Sequence, residues 1–93
     1  AIDTENSVPH IYIVRVASAR RDAFMETLKS RGVGTGLHYI ANHIQPYFKK
    51  FSRAPLPRAE RLCREIVTLP LHCALSDQDV ATVISAVLEF SKQ

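Results

Sequence analysis

The stretch GVGTGLHYIANHIQPY, Gly32 to Tyr47, decides how this chain is read. It carries all 3 glycines of the chain, Gly32, Gly34 and Gly36. Such residues mark backbone that turns tightly or lets another group come close. Directly behind them stand His38, Tyr39 and His43. Imidazole hydrogen-bonds near neutral pH, and tyrosine offers a flat face and a hydroxyl. Polar side chains behind permissive backbone can build a ligand contact. Packing in a core or an interface is the other reading of the same residues. The Leu-Pro-Leu run at Leu69 to Leu71 is read together with this stretch.

Working outward, Gly32 is placed to end a helix over residues 20–31, whose apolar stripe is Phe24, Met25 and Leu28. Upstream, HIYIVRV from His10 to Val16 is rich in β-branched and aromatic residues, which predicts a strand buried on both faces. Arg15 interrupts it and must reach an edge or find a partner. Val33 to Leu37 reads as a short strand broken by glycine. A brief helix over 43–51 tolerates Pro46 in its first turn.

Pro55 and Pro57 introduce a helix over 57–65. Ala59, Leu62, Cys63 and Ile66 fall on one stripe there. Ile66 to Leu69 is a third short strand, stopped by Pro70. The last helix opens at Ser76, with Asp79 completing a capping box. Val80, Val83, Ile84, Val87 and Leu88 then form one continuous apolar face. The order β-α-β-(α)-α-β-α predicts an α/β two-layer sandwich, about three short strands with helices on one face. Residues 1–9 read as a leader closed by Pro9, and residues 10–93 as one domain.

A chain of 93 residues supports one small domain. No apolar run approaches the roughly 20 residues that span a bilayer, so no membrane partner is expected. The first nine residues lack the pattern of a signal peptide. The absent initiator Met suggests a domain excised from something longer. Net charge is +3, from 12 basic and 9 acidic residues. The basic residues are scattered, apart from a tract through Lys49, Lys50, Arg53, Arg58, Arg61 and Arg64. That tract reads first as solvated helix face, then as a surface for phosphate or acidic ligands, and last as a nucleic-acid contact. Two cysteines, Cys63 and Cys73, make no disulfide framework, which fits a reduced, cytoplasmic protein.

Three kinds of chemistry fit poorly. A phosphate loop runs from strand into helix, whereas these glycines follow a helix and no Lys-Ser/Thr follows them. His38, His43, His72 and Cys73 lack a zinc spacing. Cys63 lies on the packed side of its helix, a poor place for a nucleophile.

Four segments resemble the sugar-nucleotide aminotransferases of the DegT/DnrJ/StrS family. They are His10 to Val16, Arg21 to Val33, the Thr35-Gly-Leu-His38-Tyr39 segment with His43 and Tyr47, and Leu56 to Glu60 with Ile66 to Leu71. The helix from Ser76 fits the family's ending. The resemblance covers nearly the whole chain. It implies the C-terminal small domain of a fold-type I enzyme, with a mostly antiparallel sheet. It implies pyridoxal phosphate (PLP) in the full-length enzyme, with the cofactor lysine and its aspartate in a separate large domain. None of Lys29, Lys49, Lys50 and Lys92 sits in such a setting. The isolated chain is therefore expected to bind no cofactor and to be inactive.

The resemblance also implies His38, Tyr39 and His43 as substrate-binding residues. The partners it implies are a nucleotide-sugar, an amino donor, the large PLP domain and a second subunit in a homodimer. The GTGLHY wording is most similar to the branch that makes 4-amino-4-deoxy-L-arabinose on a UDP carrier, in lipopolysaccharide biosynthesis. A free-standing α/β small-molecule-binding or regulatory domain stays open as the alternative.

Overall fold

In the computed structural model, residues 5–51 and 55–92 are described. Arg53 of the basic tract and the first four residues of the expected leader lie outside them. The chain runs through β1 (Tyr12–Arg15), α1 (Arg21–Ser30), α2 (Pro46–Lys49), α3 (Pro57–Glu65), β2 (Ile66–Leu69) and α4 (Asp77–Ser91). Short 3-10 turns precede α1 at Ser18–Arg20 and α2 at Asn42–Ile44. This is the α/β architecture expected, with an antiparallel sheet and helices packed against it.

The two strands pair with Tyr12 opposite Leu69 and Arg15 opposite Ile66. The expected third strand, Val33 to Leu37, reduces to a single antiparallel bridge between Gly36 and Thr68. That bridge closes with two hydrogen bonds, Gly36 N–H to Thr68 O at 3.1 Å and Thr68 N–H to Gly36 O at 2.8 Å. Backbone interrupted by glycine on both sides of Thr35 has little side-chain packing to extend the ladder. Even so, β2 lies between β1 and the bridge, and Val67, Thr68 and Leu69 are buried.

Alternation along β2 sends Val67 and Leu69 to one face and Thr68 to the other. The first face meets α1 and α4. Its core is Phe24, Leu28, Val33, Val67, Leu69, Ala86 and Phe90, with Val14 and Val87 packed at the margin. Phe24 and Phe90 meet edge to face at 5.1 Å, and the Arg20 guanidinium lies 4.5 Å over the Phe90 ring.

Helix ends follow the sequence closely. Gly32 takes φ of +78°, the left-handed region that glycine enters without steric cost. Gly32 N–H bonds Lys29 O, and Val33 N–H bonds Leu28 O. These two bonds make a Schellman cap, sealed by Val33 and Leu28, both buried. At α4, Ser76 Oγ accepts from Asp79 N–H and Asp79 Oδ2 accepts from Ser76 N–H, each at 3.0 Å. The charge of Arg21 in the first turn of α1 is used elsewhere, because its Nη1 donates to the carbonyl of Cys63 near the end of α3.

Two burial expectations are corrected. β1 is not buried on both faces: Tyr12 and Ile13 are 43% and 41% exposed. Val80, Val83, Ile84, Val87 and Leu88 of α4 do share one apolar face, which lines a groove and is covered only along its inner edge. Val83 and Val87 turn toward the core, while Val80, Ile84 and Leu88 are 42%, 52% and 55% exposed. The reason is that α4 docks on α1 through Ala86 and Phe90, which rotates the outer stripe away. Cys63, expected in the core, is half-buried with its thiol 3.2 Å from Glu60 O.

Candidate functional site

Thr68 leaves the core face of β2 and meets His38. Its Oγ1 lies 2.8 Å from His38 Nδ1. Gly36 makes this possible, since a Cβ there would stand 3.3 Å from His38 Cε1. The backbone bridge at Gly36 and the side-chain bond at His38 thus hold one segment against one strand. Together they bound a cleft of about 350 Å³, whose walls include His10, Gly34, Gly36, His38, Thr68 and Pro70. The glycine segment and the Leu69–Leu71 run, joined on reading the sequence, meet here.

Tyr39 stands beside His38, ring to ring at 4.9 Å and nearly perpendicular, and is 70% exposed. The peptide between them is cis. Beyond it, Gln45 Nε2 donates to Ile40 O at 2.7 Å and ties the following loop together. His43 is set apart from the cleft. Its buried Nε2 lies 3.5 Å from Glu60 Oε1 on α3, without a hydrogen bond. The structure therefore brings His38 and Tyr39 together and sends His43 toward α3.

Two cleft residues, His10 and Thr68, were not singled out in the sequence. The signal for Thr68 was a lone hydroxyl inside the apolar strand Ile66-Val-Thr-Leu69, directly before Pro70. His10 opens the strand segment and carried no such signal.

Arg15 finds the partner that its position required. It pairs with Glu65 at 2.6 Å, and Arg61 reaches the same carboxylate at 2.9 Å. Hydrogen bonds from Arg15 and then Arg61 hold the Glu65 carboxyl below the usual carboxylate range. In the basic tract, the Lys50 ammonium sits 4.7 Å over Tyr47 and 5.1 Å over Phe51. His72 and Cys73 are exposed. Among the described residues, no three His, Cys, Asp or Glu side chains gather around a possible ion site, and no helix is long and apolar enough to cross a membrane.

A second cavity, about 430 Å³, lies on the helix side of the sheet. It is an apolar groove between Tyr12, Leu71, Val80, Ile84 and Leu88.

A sequence model of the DegT/DnrJ/EryC1/StrS aminotransferase family matches residues 1–88. The chain belongs to this family. Among solved structures it is similar to the aminotransferase TlmJ from Streptoalloteichus hindustanus, at 40% identity and a TM-score of 0.78 over 89% of this chain. It is also similar to a DegT/DnrJ/EryC1/StrS aminotransferase from Brucella abortus, at 27% identity and 0.78 over 94%. A third is Helicobacter pylori PseC, an aminotransferase involved in the biosynthesis of pseudaminic acid, at 25% identity and 0.77 over 86%. The chain spans only 23%, 26% and 23% of those three proteins.

Family aminotransferases depend on PLP, so the lysines matter. A lysine that condenses with the cofactor must give up its proton, which desolvation or a neighbouring cation promotes. Lys29, Lys49, Lys50 and Lys92 are all exposed. Lys50 lies over the Tyr47 and Phe51 rings. The residues present do not fit the cofactor.

Proposed function

We propose that residues 10–93 are the C-terminal small domain of a PLP-dependent aminotransferase acting on a nucleotide-linked keto-sugar, with residues 1–9 leading into it. The observation that carries this is the cleft at Thr68, where the family's glycine-histidine segment meets its Leu-Pro-Leu run. His38 and Tyr39 are the substrate contacts, His38 to a pyrophosphate or sugar oxygen. His43 is included on the family resemblance alone. The finer substrate is a UDP-4-keto-pentose, converted to UDP-4-amino-4-deoxy-L-arabinose for cell-surface lipopolysaccharide in the cytoplasm. The cofactor and its lysine belong to the large domain, so this chain alone is inactive.

The partners are that large domain and a second subunit. Exposed apolar side chains support this reading. Ile40, Ile44, Tyr47 and Phe48 are all exposed, as is the outer stripe of α4. The Cα radius of gyration is 15.4 Å, whereas a compact domain of this length has about 12 Å.

The test uses the intact enzyme containing these residues. Replacing His38 by Ala should weaken the sugar nucleotide about tenfold, the loss of one hydrogen bond to a charged group, and leave the amino donor nearly unchanged. Equal losses for both substrates would remove His38 from the sugar site. Mixed with PLP, the 93-residue chain should give no visible band from a lysine adduct, and such a band would overturn the two-domain division.

A further inference from the structure

We infer that Thr68 is a positioning residue that fixes the His38 tautomer, so that His38 meets its ligand as an Nε2–H donor. This rests on the sugar-nucleotide reading only for the identity of the ligand. Thr68 is 8% exposed, and among the described residues its hydroxyl has one partner, His38 Nδ1 at 2.8 Å. A hydroxyl carries one proton and two lone pairs. Were Nδ1 protonated, it would donate to Oγ1, and the O–H of Thr68 would be left without a protein acceptor among the described residues. Leaving a buried donor unmade is the costly outcome. Donation from Thr68 to Nδ1 satisfies both groups, and the ring proton then sits on Nε2.

Nε2 has no protein partner among the described residues, and His38 lines the cleft. Neutral His38 therefore offers a hydrogen, not a lone pair. The ligand atom it selects is an acceptor oxygen, of a phosphoryl, carbonyl or hydroxyl group. A metal ion or an acidic proton would need the opposite tautomer. Gly36 completes the arrangement by leaving room for the ring.

The experiment is ¹⁵N NMR of the His38 ring in the 93-residue chain, followed by titration with UDP. Wild type and Thr68→Ser should both show Nδ1 unprotonated and Nε2 protonated. Thr68→Val, of the same shape, should show a mixture of tautomers and bind UDP about tenfold more weakly, the loss expected when a hydrogen bond to a charged group weakens. Thr68→Val added to His38→Ala should cost nothing further.

A protonated Nδ1 in the wild type would overturn the assignment, as would an unchanged tautomer in Thr68→Val. A protonated Nδ1 in the wild type or in Thr68→Ser would overturn it even if the valine variant fails to fold. Absence of UDP binding in every form, with the tautomer as expected, would sink the nucleotide reading and support the positioning role.

Discussion

Replacing Gly36 by Ala should disturb the site while sparing the fold. The new Cβ would stand 3.3 Å from His38 Cε1, inside ordinary van der Waals contact. The backbone at Gly36 cannot easily retreat, because two hydrogen bonds tie it to Thr68. The imidazole must therefore move, by about 0.1–0.7 Å to reach normal contact. Its bond to Thr68 starts at 2.8 Å and would stretch toward the edge of useful geometry. That loses up to about 1 kcal/mol in the folded state. Alanine also restricts the unfolded chain, a gain of about 0.4–1 kcal/mol. The two nearly cancel, so urea unfolding should give the wild-type unfolding free energy within about 1 kcal/mol and the same slope. His38 ring signals should shift, and UDP affinity should fall about three- to tenfold. Unmoved ring signals with unchanged UDP binding would refute the argument. So would a loss of stability above about 3 kcal/mol, which would make Gly36 a structural residue first.

Gly32→Ala meets nothing within 4 Å, so its cost is conformational. The left-handed φ should destabilise the chain by about 1 kcal/mol and lower the melting temperature by roughly 4–8 °C. A midpoint at or above wild type would show that the cap is not needed. Acid should weaken the fold, because Glu65 and Asp79 both have lowered pKa values, from hydrogen bonds to Arg15 and to the Ser76 N–H respectively. Their unfolded forms bind protons more readily, so the contribution is complete above about pH 5 and is lost as pH falls through the lowered native values. Denaturation at pH 7, 5 and 3 should show this, with a shallower fall in Glu65→Gln, and equal stability at all three would count against it. The chain should self-associate at high concentration through its exposed apolar side chains. Ile84→Lys should reduce that in sedimentation while changing stability by no more than about 0.5 kcal/mol, whereas a strictly monomeric wild type would remove the premise.

Much of the fold was legible because short-range chemistry decided it. Gly32 as a cap, Ser76 with Asp79 and Pro57 at the start of α3 need only local geometry, and each stands where the sequence puts it. Burial was less legible. Periodicity says which residues of α4 share a face, but not which neighbour arrives. Ala86 was unremarked in the sequence, yet its small side chain is where α4 packs fully buried. The site was partly legible too. His38 stood out beside its glycines, whereas Thr68 required knowing that β2 lies under that segment. His43 could not be separated from His38 by spacing alone, since its direction is set by α3, seventeen residues further along at Glu60.

The apolar surface of α4 explains how scaffold and site are connected. Ala86 and Phe90 face the core, Val80, Ile84 and Leu88 line the groove, and Val83 and Val87 between them touch both. A helix apolar over so much of its circumference is built for neighbours on both sides. Among the described residues, only the core side is covered. Ile84 and Leu88 are about half exposed, and covering the rest of each would contribute on the order of 1 kcal/mol. The groove also shares Leu69, Pro70 and Leu71 with the cleft at His38. Whatever covers the groove therefore presses on a wall of the cleft, one residue from Thr68. In the proposed enzyme, docking of the large domain and positioning of His38 would act on the same short strand. The incomplete apolar face and the proposed substrate contact are then two sides of β2.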